Sequence, residues 1–124
     1  LSGAQAFARA PLLRARGVRL INLDMVASTA RLAVGVLYSG DEASRPLAES
    51  LASALRAAGF RAGAESPYTN MDHYPLTFLG MAAVSLTEYD TADYHRTSDT
   101  AEGISLAEID APGACLYRFG TEGR

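Results

Sequence analysis

Asp24 stands inside the apolar run VRLINLDMV, from Val18 to Val26. Burying an ionised carboxylate there is costly unless it is paired, hydrogen-bonded or bound to a metal. Asp24 can therefore serve a metal or a catalytic step, sit at the exposed tip of a strand, or pair with an arginine. His95 lies in a polar stretch with Asp93 and Asp99 close in sequence. Imidazole is a common zinc ligand, and a carboxylate beside it often orients it. A solvated loop histidine is the plainer alternative. Tyr94 can donate a hydrogen bond to a developing oxyanion, or simply pack half-buried. Asp72 precedes a short helical stretch and is a good N-cap type, or a site acid. Glu88, at the end of an apolar run, is either a site acid or a surface residue. Asp99-Thr100 can fix its loop through local side-chain to backbone hydrogen bonds.

Other chemistries are poorly served. Ser85 and Ser98 lack the context of a nucleophile elbow, which argues against a serine hydrolase. Cys115 is the single cysteine, so an intramolecular disulfide and a thiolate zinc cluster are both excluded. It lies on a helical pattern and reads as packing rather than as a nucleophile. No glycine-rich phosphate loop is present. The formal net charge is −3 and every basic residue is an arginine, which gives no electrostatic reason to expect nucleic acid or an anionic membrane as partner. No apolar run approaches the roughly 20 residues of a membrane span. The chain opens at Leu1 without a methionine, so an upstream segment, cleaved or missing, is expected and the compartment stays open.

The elements that must position these residues follow from patterning. A hydrophobic share of 48% over 124 residues suits one domain with a modest core, residues 1–124. Gly3 to Ala10 predicts a short helix closed by Pro11. Val18 to Val26 and Arg31 to Tyr38 predict buried strands, and Ser39-Gly40-Asp41 a turn. Ser44 to Ala58 is the clearest helix, with Ser44 as its cap, Pro46 in its first turn and Gly59 as its stop. Phe60 to Ala64 predicts a short strand, His73 to Leu79 one or two helical turns, and Met81 to Thr87 a buried strand. Residues 88–103 form a long polar loop. Ser105 with Glu108 forms a capping box for a last helix, which Pro112-Gly113 should kink or break. Buried strands alternating with helices argue α/β architecture, where functional residues gather at the C-terminal ends of strands.

Together these pieces resemble a known family. INLDM (Ile21 to Met25), MDHYPLTFLGMAAVSLTE (Met71 to Glu88) and YHRTSDT (Tyr94 to Thr100) resemble, in order, blocks of the zinc-dependent co-catalytic aminopeptidases. That family includes bacterial leucyl aminopeptidases, glutamate carboxypeptidase and glutaminyl cyclase relatives. Its blocks read like NLDM, SDHxPFxxxGIPAxxLxE and YHTxxDT. LSGAQAFA (Leu1 to Ala8) resembles the helix that follows the family's Glu-Glu pair. Each block alone is weakly specific; their order and spacing carry the match over nearly the whole chain. Met71, Leu76, Ala82 and Arg96 depart from the pattern and leave the ligand positions intact.

The resemblance implies a three-layer helix–sheet–helix fold with a mixed, mostly parallel sheet, of which this chain holds the C-terminal half. It implies Asp24 as a ligand of one zinc ion and His95 as a ligand of the other. It implies Tyr94 as the tyrosine that steadies the intermediate, Asp72 as an acid near the metals and Asp99 as support for the histidine loop. The family's first histidine ligand, its bridging aspartate and its Glu-Glu pair would lie upstream of Leu1. The expectation is therefore an aminopeptidase with a peptide substrate and two zinc ions when intact. The isolated chain should bind zinc weakly or not at all, remain inactive, and either self-associate or need its missing half. A glutaminyl-cyclase-like acyltransferase is the alternative, although such relatives tend to place Trp before the zinc histidine and this chain has Tyr94. A non-catalytic binding module on the same fold is the third reading.

Overall fold

The apolar runs do form strands. The structure, a computed structural model, describes residues 2–10, 17–26, 33–88, 96–98, 100–104 and 106–122. The elements in chain order are α1 (Ser2–Phe7), β1 (Arg19–Leu23), β2 (Ala33–Leu37), α2 (Arg45–Ala57), β3 (Arg61–Glu65), α3 (Tyr74–Thr77), β4 (Ala82–Glu88) and α4 (Leu106–Glu122), with a 3₁₀ turn at Ala101–Gly103. Tyr94, His95, Asp99 and Ser105 of the expected capping box lie outside the described residues.

The four strands form one mixed sheet in the order β1-β4-β2-β3. β1 runs parallel to β4 and β2 parallel to β3, while β2 and β4 are antiparallel. β4 sits inside the sheet, and residues 83–88 are all buried, as a near-continuous apolar run requires. Strand alternation separates two cores. Val34, Val36, Val84 and Leu86 meet Leu47, Leu51 and Leu55 of α2 and Cys115 of α4. Ala83 points the other way and gathers with Ala8, Leu76 and Met81 under α1 and α3. Helices thus cover both faces, giving the three layers of an α/β domain.

Two local expectations need correction. Ser44 makes no side-chain cap bond to α2. Asp41 does that work, its Oδ1 accepting the Ser44 N–H at 2.8 Å in the turn that leads into the helix. Pro112 does not break α4, which runs as one helix through it. The ring removes one backbone donor. The turns beyond Pro112 are held by Cys115, Leu116 and Phe119 packing into the α2 core. Gly59 and Gly80 end α2 and α3 with φ of 94° and 70°, where a side chain would be strained.

Candidate functional site

Asp24 follows the last residue of β1, at the sheet end where β4 also finishes. Its N–H donates to the Leu86 carbonyl at 3.1 Å, continuing the parallel ladder. A regular ladder would next bring the Glu88 N–H to the Asp24 carbonyl. Instead Glu88 donates to the carbonyl of Met25, at 3.1 Å. Met25 is the inserted residue, and its φ of 56° places a side-chain-bearing residue in the left-handed region. That conformation costs on the order of 1–2 kcal/mol. Asp24 and Met25 thus stand against one residue of β4, as in a bulge, and the Asp24 side chain is exposed rather than buried. Of the fates open to Asp24, the exposed strand tip is the one observed, and it leaves the carboxylate available to a ligand. Glu88, by contrast, is 3% exposed, so the surface alternative for it is corrected.

A chain of polar groups, half-buried at Asn22 and sealed at Ser85 and His73, runs beneath this end. Asn22 and Ser85 are register partners on β1 and β4. The Asn22 amide Nδ2 donates to Ser85 Oγ at 3.0 Å. The same Oγ lies 2.9 Å from His73 Nδ1. His73 immediately precedes α3 and is fully buried, as is Ser85. Burial pushes the His73 pKa below its ordinary value, against smaller upward pulls from the Tyr68 carbonyl and the Asp41 carboxylate. A serine beside a histidine has the composition of a nucleophilic pair. With both side chains sealed, no substrate carbonyl can reach Ser85, so that chemistry is closed. Ser44, also sealed, accepts the Ala83 N–H at 3.0 Å and ties the start of α2 to β4.

The sequence candidates therefore divide. Asp24 and Glu88 come together at one sheet end. Asp72 is exposed, one residue before the buried His73, and is linked to that end through Ser85. Tyr94, His95 and Asp99 lie outside the described residues, so their approach to Asp24 stays an expectation. The residues missed from sequence are Asn22, Ser85 and His73. The signal was there: Asn22 and Ser85 are the polar interruptions of two apolar runs that pair in register. Cys115 is buried and its thiol pKa is raised by that burial, in keeping with a packing role.

An exposed aspartate of this kind suits zinc as one ligand, but a zinc site needs three or four. Among the described residues, no group of three or more His, Cys, Asp or Glu side chains could hold a metal ion. The described residues alone therefore complete no zinc site. A shallow groove of about 270 Å³ between α1 and α3 offers no alternative, since Gln5, Ala8, Arg9, Tyr74, Pro75, Phe78 and Leu79 line it without a carboxylate, imidazole or thiol. No described helix is long and apolar enough to cross a membrane.

Solved structures share this fold. A glutaminyl cyclase of Porphyromonas gingivalis matches with a TM-score of 0.76 and 20% identity, over 98% of this chain and 48% of that one. A zinc aminopeptidase of Bacillus subtilis matches with a TM-score of 0.71 and 19% identity, over 96% of this chain and 32% of that one. An aminopeptidase of Aneurinibacillus sp. strain AM-1 matches with a TM-score of 0.67 and 22% identity, over 94% of this chain and 30% of that one. The chain thus spans less than half the length of each. No curated protein sequence matches significantly. The family model described as Peptidase family M28 covers residues 1–119, and by that match the chain belongs to the M28 peptidase family, on a fold shared with zinc aminopeptidases and glutaminyl cyclases.

Proposed function

We propose that this chain is part of a zinc-dependent aminopeptidase and contributes Asp24 as a zinc ligand. One placement carries the reading: an exposed carboxylate turned out at the C-terminal end of a parallel strand, in a chain matched to the family over residues 1–119. When bound, two zinc ions would supply an activated water and a polarised peptide carbonyl. His95 would ligate the second ion, Tyr94 would hydrogen-bond the developing oxyanion, and Asp72, Asp99 and Glu88 would support these groups. The hydroxyl of Thr87, which follows Leu86 on β4 and so lies opposite Asp24, is buried without a hydrogen-bond partner, a further polar group at this end.

With Asp24 and His95 serving different ions, each ion has one ligand from this chain. Titration calorimetry of the 124-residue chain with Zn²⁺ should give binding weaker than the order of micromolar, and leucyl p-nitroanilide should not turn over. Tighter binding or turnover would overturn the fragment reading. In the longer protein, Asp24→Asn should abolish turnover and lower the zinc content; an unaffected variant would remove Asp24 from the site. The outer edge of β1 has no partner strand among the described residues, and Leu23 at its end is 51% exposed. Self-association by light scattering is therefore expected of the isolated chain, and a sharp monomer would count against it.

The glutaminyl cyclases among the structural relatives favour a second reading, intramolecular acyl transfer on the same fold. Cyclisation of an N-terminal glutaminyl peptide in the absence of leucyl p-nitroanilide hydrolysis would select it.

A further inference from the structure

The Ser85 hydroxyl has one proton to give and two lone pairs to accept with. The Asn22 amide already donates to it at 3.0 Å. If His73 carried its proton on Nδ1, Ser85 would accept twice and its own proton would need another buried acceptor. If Nδ1 is bare, Ser85 donates to it, and the Asn22 and Ser85 protons both have a place. The two other groups acting on the ring, the Tyr68 carbonyl and the Asp41 carboxylate, are both acceptors; with Nδ1 bare, the ring hydrogen falls to Nε2. Nε2 is itself sealed from solvent without a direct hydrogen bond. The self-consistent arrangement runs in one direction, from the Asn22 N–H to the Ser85 O–H to His73 Nδ1, so that each bond polarises the next.

The ends of this chain matter more than its middle. Asn22 is two residues before Asp24, and His73 is one residue after Asp72. A single hydroxyl on β4 therefore ties together the strand that presents one exposed acid and the turn that presents the other. We propose that His73 is a positioning residue: as the neutral Nε2–H tautomer it receives the Ser85 hydroxyl, and the Asn22–Ser85–His73 chain holds Asp24 and Asp72 in fixed relation. The tautomer stands on the hydrogen-bond geometry alone; its value to catalysis rests on the reading of Asp24 as a zinc ligand.

Ring-nitrogen NMR on the full 124-residue chain near neutral pH tests the first half. A protonated Nε2 and an acceptor-type Nδ1 are expected; a ring protonated on Nδ1, or on both nitrogens, overturns the inference. Backbone amide shifts test the second half. Ser85→Ala should remove the acceptor-type signature of Nδ1 and move the amides of Asp24, Met25 and Asp72 together. His73→Asn keeps an acceptor oxygen near the place of Nδ1 and should leave those amides nearly in place, whereas His73→Ala should move them. If Ser85→Ala or His73→Ala does not fold, the wild-type tautomer and His73→Asn still decide. Unmoved Asp24 and Asp72 amides in a folded Ser85→Ala chain would refute positioning. None of these readings involves zinc, so a chain that binds no metal leaves the inference standing, and an Nδ1–H ring leaves the zinc proposal untouched.

Discussion

Replacing Ser44 with alanine should destabilise the fold far more than loss of one hydroxyl from a helix start would suggest. Ser44 is fully buried, and its Oγ accepts the Ala83 N–H at 3.0 Å. Ala83 is the second residue of the interior strand β4 and is itself sealed, so no water can replace the lost acceptor. Alanine keeps the helical backbone that Ser44 already adopts, with φ of −84° and ψ of −26°, so propensity does not oppose the change. What remains is an orphaned buried N–H, which costs about 1–3 kcal/mol. For a domain of this size that corresponds to a drop of about 4–12 °C in Tm. Urea denaturation followed by circular dichroism measures it, with Ser50→Ala on the exposed face of the same helix as control. The control should stay within about 0.5 kcal/mol of wild type. A Ser44→Ala chain equally close to wild type would refute the reasoning, since the Ala83 amide would then have another partner.

Other substitutions test other parts of the argument. Met25→Gly relieves a left-handed φ and should hold stability or raise it by up to about 1 kcal/mol, whereas Met25→Ile should lower it; equal urea midpoints for both would show that the bulge is not strained. Cys115 should resist a thiol-specific colorimetric reagent in the native chain and react once urea unfolds it, because burial holds its thiol protonated; rapid native labelling would contradict the packing. Stability should also depend on His73. Its folded pKa lies below the ordinary 6.5, so the unfolded chain takes up a proton that the folded chain refuses. The stability that comes with the neutral ring is whole above about pH 6.5 and is lost progressively as the pH falls below it. Urea midpoints should therefore fall more steeply with acid in wild type than in His73→Asn, and matching slopes would count against it.

Much of the fold was legible because its strands and its main helix are written in local pattern. The apolar run from Met81 to Thr87 and the helical spacing of Leu47, Leu51 and Leu55 needed no distant information. Ser44 was misread because its partner, Ala83, is 39 residues away, and a serine before a helix carries a local cue that competes with that distant one. Pro112 was misread because its penalty is local, while the compensation from Cys115, Leu116 and Phe119 is tertiary. At the site, Asp24 stood out as a carboxylate in an apolar run. The role of Asn22 and Ser85 appears only once register pairs them, and register between strands 63 residues apart is not a local property.

The sheet order also sets a sequence of assembly. β2, α2 and β3 form a compact βαβ unit over residues 33–65, built largely from contacts between near neighbours in the chain. Among the described residues, β1 joins the sheet only through β4, across a much longer loop that must close first. The strand that leads into Asp24 should thus be the last to dock and the first to peel away. Hydrogen exchange should find its amides opening in partial excursions that leave the βαβ unit intact.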